Sequence, residues 1–232
     1  MARLARVNAV LFDFGGTLDA DGVAWKERFY AGYRDEGLAM DEAAFARHFY
    51  AADDPLVGGL PDNAGLEETA ERLTANLEAG FEAEFDGGDP ARGRRVAARF
   101  VADACCALTR SADALAGLAG RYKLGIVSNF YGNLAAICRE SGIAGHLGAM
   151  IDSHQVGVEK PAPEIFHAAL RDIDAKPEET TYVGDSLRRD RIGAQQAGLG
   201  FVWVAPRAAR AAAGPVDHPV IANVSEVAEV LR

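Results

Sequence analysis

Short runs of apolar, largely β-branched residues alternate with segments of helical periodicity along much of this chain. The runs are "VNAVLFDF" (7–14), "YKLGIVSN" (122–129), "GAMIDS" (148–153), "TTYVGDS" (180–186) and "FVWVA" (201–205). Helical patterns lie between them, at 111–119, 131–140, 163–172 and 187–197, the last closed by Gly198. This alternation predicts an α/β fold, a three-layer Rossmann-like parallel sheet with helices on both faces.

A long segment after the first run has a different pattern. Residues 20–108 lack β-rich runs and are dominated by helix formers, with breakers at "DDPLVGGLPDNAG" and "FDGGDP". We therefore expect an all-helical domain at 20–108, inserted into a core formed by residues 1–19 and 109–232.

Three of the predicted strands end in polar side chains. Asp13 follows the first strand, Ser128 and Asn129 follow the second, and Asp185 follows the run "TYVG". In open α/β sheets, ligands bind beyond the carboxyl ends of the strands. Two carboxylates on neighbouring strand ends repel each other unless a cation lies between them, and oxygen ligands suit Mg²⁺. The pattern therefore predicts a magnesium site at this edge.

Further residues suit the binding of a phosphate group beside that ion. Asp190, five residues after Asp185, can return toward the metal, and Lys160 in "GVEKPAPEIF" can neutralise a phosphate. Gly15 and Gly16 leave backbone amides unshielded for a phosphate, and Thr17 adds a hydroxyl.

In this order, these residues resemble the motifs of the haloacid dehalogenase superfamily, specifically its phosphatase-like members. The first motif, D-x-D-x-[TV] after a strand, is matched by "DFGGT" from Asp13. Ser128 matches the second, Lys160 in "KPAPEIF" the third, and "VGDSLRRDRIGAQQAG" the acidic fourth. The resemblance covers essentially the whole chain, and the helical insertion resembles the family's cap domain.

The resemblance implies a mechanism and a cofactor. It makes Asp13 the nucleophile that forms an aspartyl-phosphate, with Ser128 and Lys160 holding the transferring oxygens. It implies Mg²⁺ held by Asp13, Asp185, Asp190 and the backbone carbonyl of Gly15. Gly16, Thr17, Asn129, Ser128 and Lys160 are the expected substrate contacts. The expected activity is hydrolysis of a phosphomonoester of a small soluble metabolite.

The chain departs from the family pattern at Gly15, where phosphatases carry a second aspartate that protonates the leaving group. Such assistance is worth about 10²–10⁴-fold in rate. Asp19 and Asp21 follow in the same loop and are alternative proton donors. The structural alternatives are a solvated turn for Asp19 and, for Asp21, an N-cap of a helix starting near Val23.

Other activities and roles stay open beside this one. A catalytically degenerate phosphate-binding protein, acting as a sensor or assembly partner, is one alternative. A haloacid dehalogenase-type hydrolase is another, although Asp185 and Asp190 are not needed for that chemistry. Phosphonate cleavage would need a cap lysine, and Lys26 is the single lysine of the segment. Asp185 could also cap the next helix, and Ser128–Asn129 could cap the helix at 131–140.

Composition limits the partners. The formal charge is −10, from 24 Lys+Arg against 34 Asp+Glu, which disfavours nucleic acid and anionic membranes. Three cysteines, two of them adjacent, form no disulfide framework. With no signal peptide or membrane-length apolar run recognised, we expect a cytoplasmic protein whose partner is a small phosphorylated metabolite; the sequence does not give the oligomeric state.

Overall fold

The fold is a parallel six-stranded sheet with helices on both faces and a four-helix insertion after the first strand. The computed structural model describes residues 7–85 and 87–231. The strands are β1 (Ala9–Phe12), β2 (Lys123–Ser128), β3 (Ala149–Asp152), β4 (Thr180–Gly184), β5 (Gly200–Val204) and β6 (Val220–Ile221). They pair in the order β3-β2-β1-β4-β5-β6, and every pairing is parallel. The predicted fold class is confirmed.

The helices follow the predicted alternation. They are α1 (Trp25–Asp35), α2 (Glu42–Asp53), α3 (Leu66–Phe85), α4 (Pro90–Ala119), α5 (Leu134–Glu140), α6 (Ser153–Val156), α7 (Pro163–Asp172), α8 (Ile192–Gln196), α9 (Arg207–Ala213) and α10 (Val227–Val230). Short helical turns occupy Phe14–Leu18, Asp54–Leu56, Ala144–His146, Pro177–Glu179, Leu187–Arg191 and Val224–Glu226. None of the described helices combines the length and the apolar character needed to cross a membrane.

Strand β1 lies inside the sheet, between β2 and β4, and both of its faces are apolar. Val10 and Phe12 enter one core, which continues into α1–α5 and α10, while Ala9 and Leu11 enter a second core with α7 and α8. Strands buried on both faces read as continuous apolar runs, which is the pattern seen at the sequence level. The register pairs Phe12 with Ile126 and with Val183. The polar residues that follow the three strands therefore emerge together at one edge.

Helix α4 is continuous from Pro90 to Ala119 and therefore crosses residue 108, where the boundary of the inserted domain stays a prediction. Its buried positions Ala104, Leu108, Ser111, Leu115 and Leu118 keep helical spacing across the expected break. No proline interrupts the helix beyond its first residue. One helix thus begins in the cap and ends against the sheet, where the Ser111 hydroxyl donates to the Leu18 carbonyl at 2.7 Å.

Candidate active site

Asp13 stands at the end of β1 with one carboxylate oxygen shared between two donors. Ser128 Oγ, at the end of β2, donates to Asp13 Oδ1 at 2.8 Å. Lys160 Nζ lies 2.7 Å from the same oxygen. Asp13 is 6% exposed. Both donors engage Oδ1, so the carboxylate is oriented with Oδ2 outside these two contacts.

Lys160 is held at both its main chain and its ammonium group. Asn129 accepts from the Lys160 amide at 2.7 Å and donates to the Lys160 carbonyl at 3.1 Å. The ammonium donates to Asp190 Oδ1 at 2.8 Å and to the hydroxyl oxygen of Tyr182 at 3.0 Å. Tyr182 in turn donates to the Val127 carbonyl at 2.6 Å. Asn129 thus fixes the loop that carries Lys160, and its contact with a phosphoryl oxygen stays a prediction.

Asp185 and Asp190 follow β4 and are held by different partners. Asp190 is fully buried and accepts from the Ser186 amide at 2.9 Å. The Asp185 carbonyl accepts from Trp203 Nε1 at 2.8 Å, and its carboxylate lies 3.4 Å from the Thr17 hydroxyl. Thr17, predicted as a substrate contact, therefore touches the side chain of Asp185.

The helix-capping alternatives for these polar residues are not observed. Ser186, not Asp185, accepts the capping bond from the Arg189 amide at 3.1 Å. Helix α5 begins at Leu134, after Asn133, so Ser128 and Asn129 lie outside its first turn. These side chains are therefore oriented by the site rather than by helix ends.

The carboxylates of Asp13, Asp185 and Asp190 form a group that fits a divalent cation. Each offers an oxygen within 4.8 Å of the others. The Lys160 ammonium pairs with Asp13 and Asp190, and hard oxygen donors of this kind suit Mg²⁺. The backbone carbonyl of Gly15 belongs to the same loop as Asp13 and remains a predicted fourth ligand.

The pKa directions reflect this excess of negative charge. Burial, with the carboxylates of Asp190 and Asp13, raises the pKa of Asp185 well above its usual range, although Lys160 opposes the shift. Burial raises the pKa of Asp190 to about 6, again against Lys160. Burial alone would lower the pKa of Lys160, but Asp13 and Asp190 raise it above its ordinary value. A positive ion is the counter-charge that this group would accept.

Gly16 sits in the left-handed region and lies against the acidic group. Its φ is 87°, and a Cβ there would stand 2.6 Å from Asp185 Oδ2. Glycine is therefore required for the loop to approach Asp185 so closely. Its amide donates to Asp19 Oδ1 at 2.7 Å. The phosphate contact expected of this amide stays a prediction.

Asp19 is fully buried and joins the loop that follows β1 to helix α1. Besides the Gly16 amide, it accepts from Trp25 Nε1 at 2.6 Å and from Arg28 Nη1 at 2.8 Å, both through Oδ2. Burial raises the pKa of Asp19, while Arg28 and the other donors oppose the shift. The solvated-turn alternative for Asp19 is wrong, since its carboxylate is enclosed by three donors.

Two other cap residues adopt roles different from those considered at the sequence level. Asp21 is exposed and pairs with Arg110 at 2.9 Å, while α1 begins at Trp25 after Ala24, so Asp21 is not its N-cap. Lys26 pairs with Glu27 at 3.2 Å and with Glu42 at 3.1 Å. Both observations assign these two residues to charged pairs of the cap.

A second contact between cap and core lies beside the loop that follows β2. The Tyr131 hydroxyl donates to Asp53 at the end of α2, and the Tyr131 carbonyl accepts from the Gly58 amide at 3.0 Å. Burial raises the pKa of Asp53 to about 6, although the bond from Tyr131 opposes the shift. The Tyr131 ring also lies 6.0 Å from that of Trp25, between centroids.

Four side chains at this site were not identified from the sequence as contacts of the motif residues. Tyr182 and Trp203 hold Lys160 and Asp185, and Trp25 and Arg28 hold Asp19. Tyr182 could have been identified from the sequence, since it is an aromatic residue with a polar hydroxyl inside the apolar run that precedes Asp185. For Trp25, nothing in the sequence pattern indicated the bond to Asp19.

Sequence comparison relates the chain to known hydrolases. A family model described as haloacid dehalogenase-like hydrolase matches residues 7–198. The glyceraldehyde 3-phosphate phosphatase of Methanothermobacter thermautotrophicus is 32% identical over 120 residues, which are 47% of this chain and 51% of the relative. The phosphoserine phosphatase of Thermus thermophilus is 41% identical over 64 residues, 28% of this chain and 26% of the relative. The chain thus matches about half or less of the length of these relatives.

Solved structures share the fold over nearly the full chain. A dehalogenase with an intermediate complex has a TM-score of 0.61 at 18% identity, covering 97% of both chains. The HAD-hydrolase YfnB of Bacillus subtilis, bound to magnesium, has a TM-score of 0.54 at 21% identity, covering 98% of this chain and 100% of YfnB. At these identities, the likeness concerns the fold.

Proposed function

Because the chain belongs to the haloacid dehalogenase-like hydrolases, we propose that it is a Mg²⁺-dependent phosphomonoester hydrolase acting on a small phosphorylated metabolite. One arrangement carries the proposal. Ser128 and Lys160 engage a single oxygen of Asp13, and Asp13, Asp185 and Asp190 each offer one carboxylate oxygen within 4.8 Å of the others. Relatives named for glyceraldehyde 3-phosphate and phosphoserine support a substrate of that size.

The chemistry follows from the shared oxygen. Ser128 and Lys160 fix Asp13 Oδ1, so Oδ2 attacks phosphorus while the bond to the leaving oxygen breaks, giving an aspartyl-phosphate. Water then attacks phosphorus, the bond to Asp13 breaks, and inorganic phosphate leaves. Phosphoryl transfer needs mainly positioning and charge neutralisation, and the Lys160 ammonium contributes both. A Mg²⁺ ion held by Asp13, Asp185, Asp190 and the Gly15 carbonyl supplies further positive charge against the repulsion between carboxylate and phosphate.

Proton transfer to the leaving oxygen is the step for which the site offers least assistance. Gly15 has no side chain to supply a proton, and both oxygens of Asp19 accept bonds from donors. Leaving groups that depart as stable anions should therefore be favoured. We expect aryl and acyl phosphates to be hydrolysed about 10²–10⁴-fold faster than alkyl phosphates, the usual worth of general-acid assistance.

The test measures phosphate release from p-nitrophenyl phosphate with Mg²⁺ and with EDTA. Asp13→Asn removes the nucleophile, and we expect it to abolish turnover, as EDTA should. Asp21→Asn is the matched control, because Asp21 is an exposed aspartate close by in the chain that pairs with Arg110. Turnover that survives Asp13→Asn, or that is unchanged by EDTA, would contradict the proposal.

The engaged carboxylate of Asp19, together with Gly15, favours a second candidate, a phosphate-binding protein with little catalysis. Titration calorimetry with inorganic phosphate and Mg²⁺ distinguishes the two. Binding that requires Lys160, without release of phosphate from any aryl or acyl phosphate, would favour the second candidate. Halide release from a 2-haloacid without metal would instead indicate dehalogenase chemistry.

A further inference from the structure

The space beside Gly15 is occupied by the first residue of the cap helix α1. A Cβ built on Gly15 would lie 3.3 Å from Trp25 Nε1 and 3.4 Å from Trp25 Cδ1. Gly15 has a φ of −70°, a value open to any residue, so its backbone does not require glycine. The neighbouring indole therefore limits the size of the side chain at this position.

Trp25 has little freedom to move away from Gly15. Its Nε1 donates to Asp19 at 2.6 Å, and Asp19 is bound in turn to Arg28 and to the Gly16 amide. The ring belongs to an aromatic cluster formed by Trp25, Phe29, Phe100, Phe130 and Tyr131. Trp25 is 8% exposed, so displacement of the indole would disturb a packed interior.

We propose that Trp25 is a specificity-determining residue, which occupies the space that an acid at position 15 would need and, held there by Asp19, restricts the site to substrates whose leaving group departs without a proton. This inference rests on the proposed function and narrows it to acyl and aryl phosphates. Asp19 is a positioning residue in this account, since its two oxygens accept bonds from the Gly16 amide, Trp25 and Arg28. Gly15 and Trp25 then form a matched pair that has to be changed together.

The experiment compares Gly15→Asp, Trp25→Leu and the double variant. Leucine is shorter and removes both atoms that approach Gly15, while it keeps an apolar side chain in the aromatic cluster. The readout is the ratio of turnover on glycerol phosphate, an alkyl ester, to turnover on p-nitrophenyl phosphate. We expect this ratio in the double variant to exceed that of either single variant by about 10-fold or more, within the range for general-acid catalysis.

Gly15→Asp combined with Phe29→Leu is the matched control. Phe29 is on the same helix and in the same aromatic cluster, but none of its atoms is among the three nearest to a Cβ built on Gly15. We expect this control to resemble Gly15→Asp alone. An equal gain from Gly15→Asp by itself, or from the Phe29 control, would overturn the proposal and leave the proposed function standing.

A stability measurement keeps the inference testable without turnover. Gly15→Ala should lower the urea midpoint of the protein, and the same change should lower it much less when Trp25→Leu is present. If p-nitrophenyl phosphate is not hydrolysed in an Asp13-dependent way, the proposed function fails while this coupling still tests the matched pair. Equal midpoint losses in the two backgrounds would show that Trp25 does not limit position 15.

Discussion

In the loop that follows β1, the Asp13 carboxylate has polar and charged partners, which form the polar side, whereas Gly15 lies against an indole ring, which forms the aromatic side. Asp13 meets Ser128 and Lys160, but Gly15, two residues later, faces Trp25. The polar side comes from strand ends of the core, and the aromatic side comes largely from the cap. Under the proposed function, we expect the core to bind the ion and the phosphate, and the cap to limit what can stand beside the leaving group.

The two sides also differ in how they are held. Lys160 has three oxygen neighbours, on Asp13, Asp190 and Tyr182, so the polar side depends on one buried ammonium. The aromatic side depends on one buried carboxylate, Asp19, which accepts from the core and from the cap. A single substitution can therefore disrupt each side separately, and the consequences should differ.

The largest expected effect on stability is that of Lys160→Met, which leaves the carboxylates of Asp13, Asp185 and Asp190 without their ammonium partner. We expect a loss of about 3–5 kcal/mol in the free energy of unfolding, measured by urea denaturation in EDTA. Lys123→Met is the control, since Lys123 is an exposed lysine that pairs with Asp174, and it should cost about 1 kcal/mol or less. Equal losses in the two variants would show that the polar side does not need its cation.

Asp19→Asn should disrupt the contacts of the aromatic side, with a smaller loss of stability than Lys160→Met. The amide keeps one oxygen but turns a donor toward the donors of Gly16, Trp25 or Arg28, so we expect a loss of about 2–4 kcal/mol in the free energy of unfolding. Asp21→Asn alters an exposed pair with Arg110, and it should cost about 0.5 kcal/mol. The fluorescence of Trp25 should also change in Asp19→Asn, and an unchanged spectrum with unchanged stability would contradict the assignment.

The smallest of these effects concerns Asp53, where the cap meets Tyr131. Its pKa is about 6 in the folded protein against 3.8 ordinarily, so the folded state binds more protons between these values. The contribution of Asp53 to stability therefore falls as pH rises from about 4 through about 6. Asp53→Asn keeps an acceptor for the Tyr131 hydroxyl and should be more stable than the unchanged protein by about 1–3 kcal/mol at pH 8.

The gain from Asp53→Asn should shrink toward pH 4, where the native carboxyl is already protonated. Denaturation of both proteins at several pH values measures this difference. Asp62→Asn, an exposed aspartate of the same cap segment, should show little change at any of them. A gain that is constant with pH would mean that Asp53 is not a buried carboxylate that titrates near pH 6.

The sequence predicted the residues of the polar side, but it did not predict the contacts of the aromatic side. Asp13 and Ser128 are marked by strand ends that parallel register brings together. Lys160 and Asp190 are marked by motif order, and Lys160 pairs with both Asp13 and Asp190. The contacts of Gly15 and Asp19 depend on where a helix of the cap packs, and no local pattern encodes that position. Helix α4 also crosses the boundary predicted at residue 108, since its apolar face continues from the cap onto the sheet.

Understanding the departure from the family pattern at Gly15 requires both the sequence and the tertiary structure. The sequence shows that the acid is absent, and the structure shows an indole in the adjacent space. Asp19 is a candidate substitute by its closeness in the chain, yet its bonds to Gly16, Trp25 and Arg28 engage both of its oxygens. Proximity in the chain could not reveal those partners.

The central claim is that Asp13 and Asp185, 172 residues apart in the chain (185 − 13), share one divalent ion. Anomalous diffraction from crystals grown with Mn²⁺, a substitute for Mg²⁺, tests it directly. We predict one strong peak bonded to a carboxylate oxygen of each residue, at about 2.0–2.2 Å. Crystals that bind Mn²⁺ elsewhere, or leave the space between these carboxylates without a peak, would contradict the account.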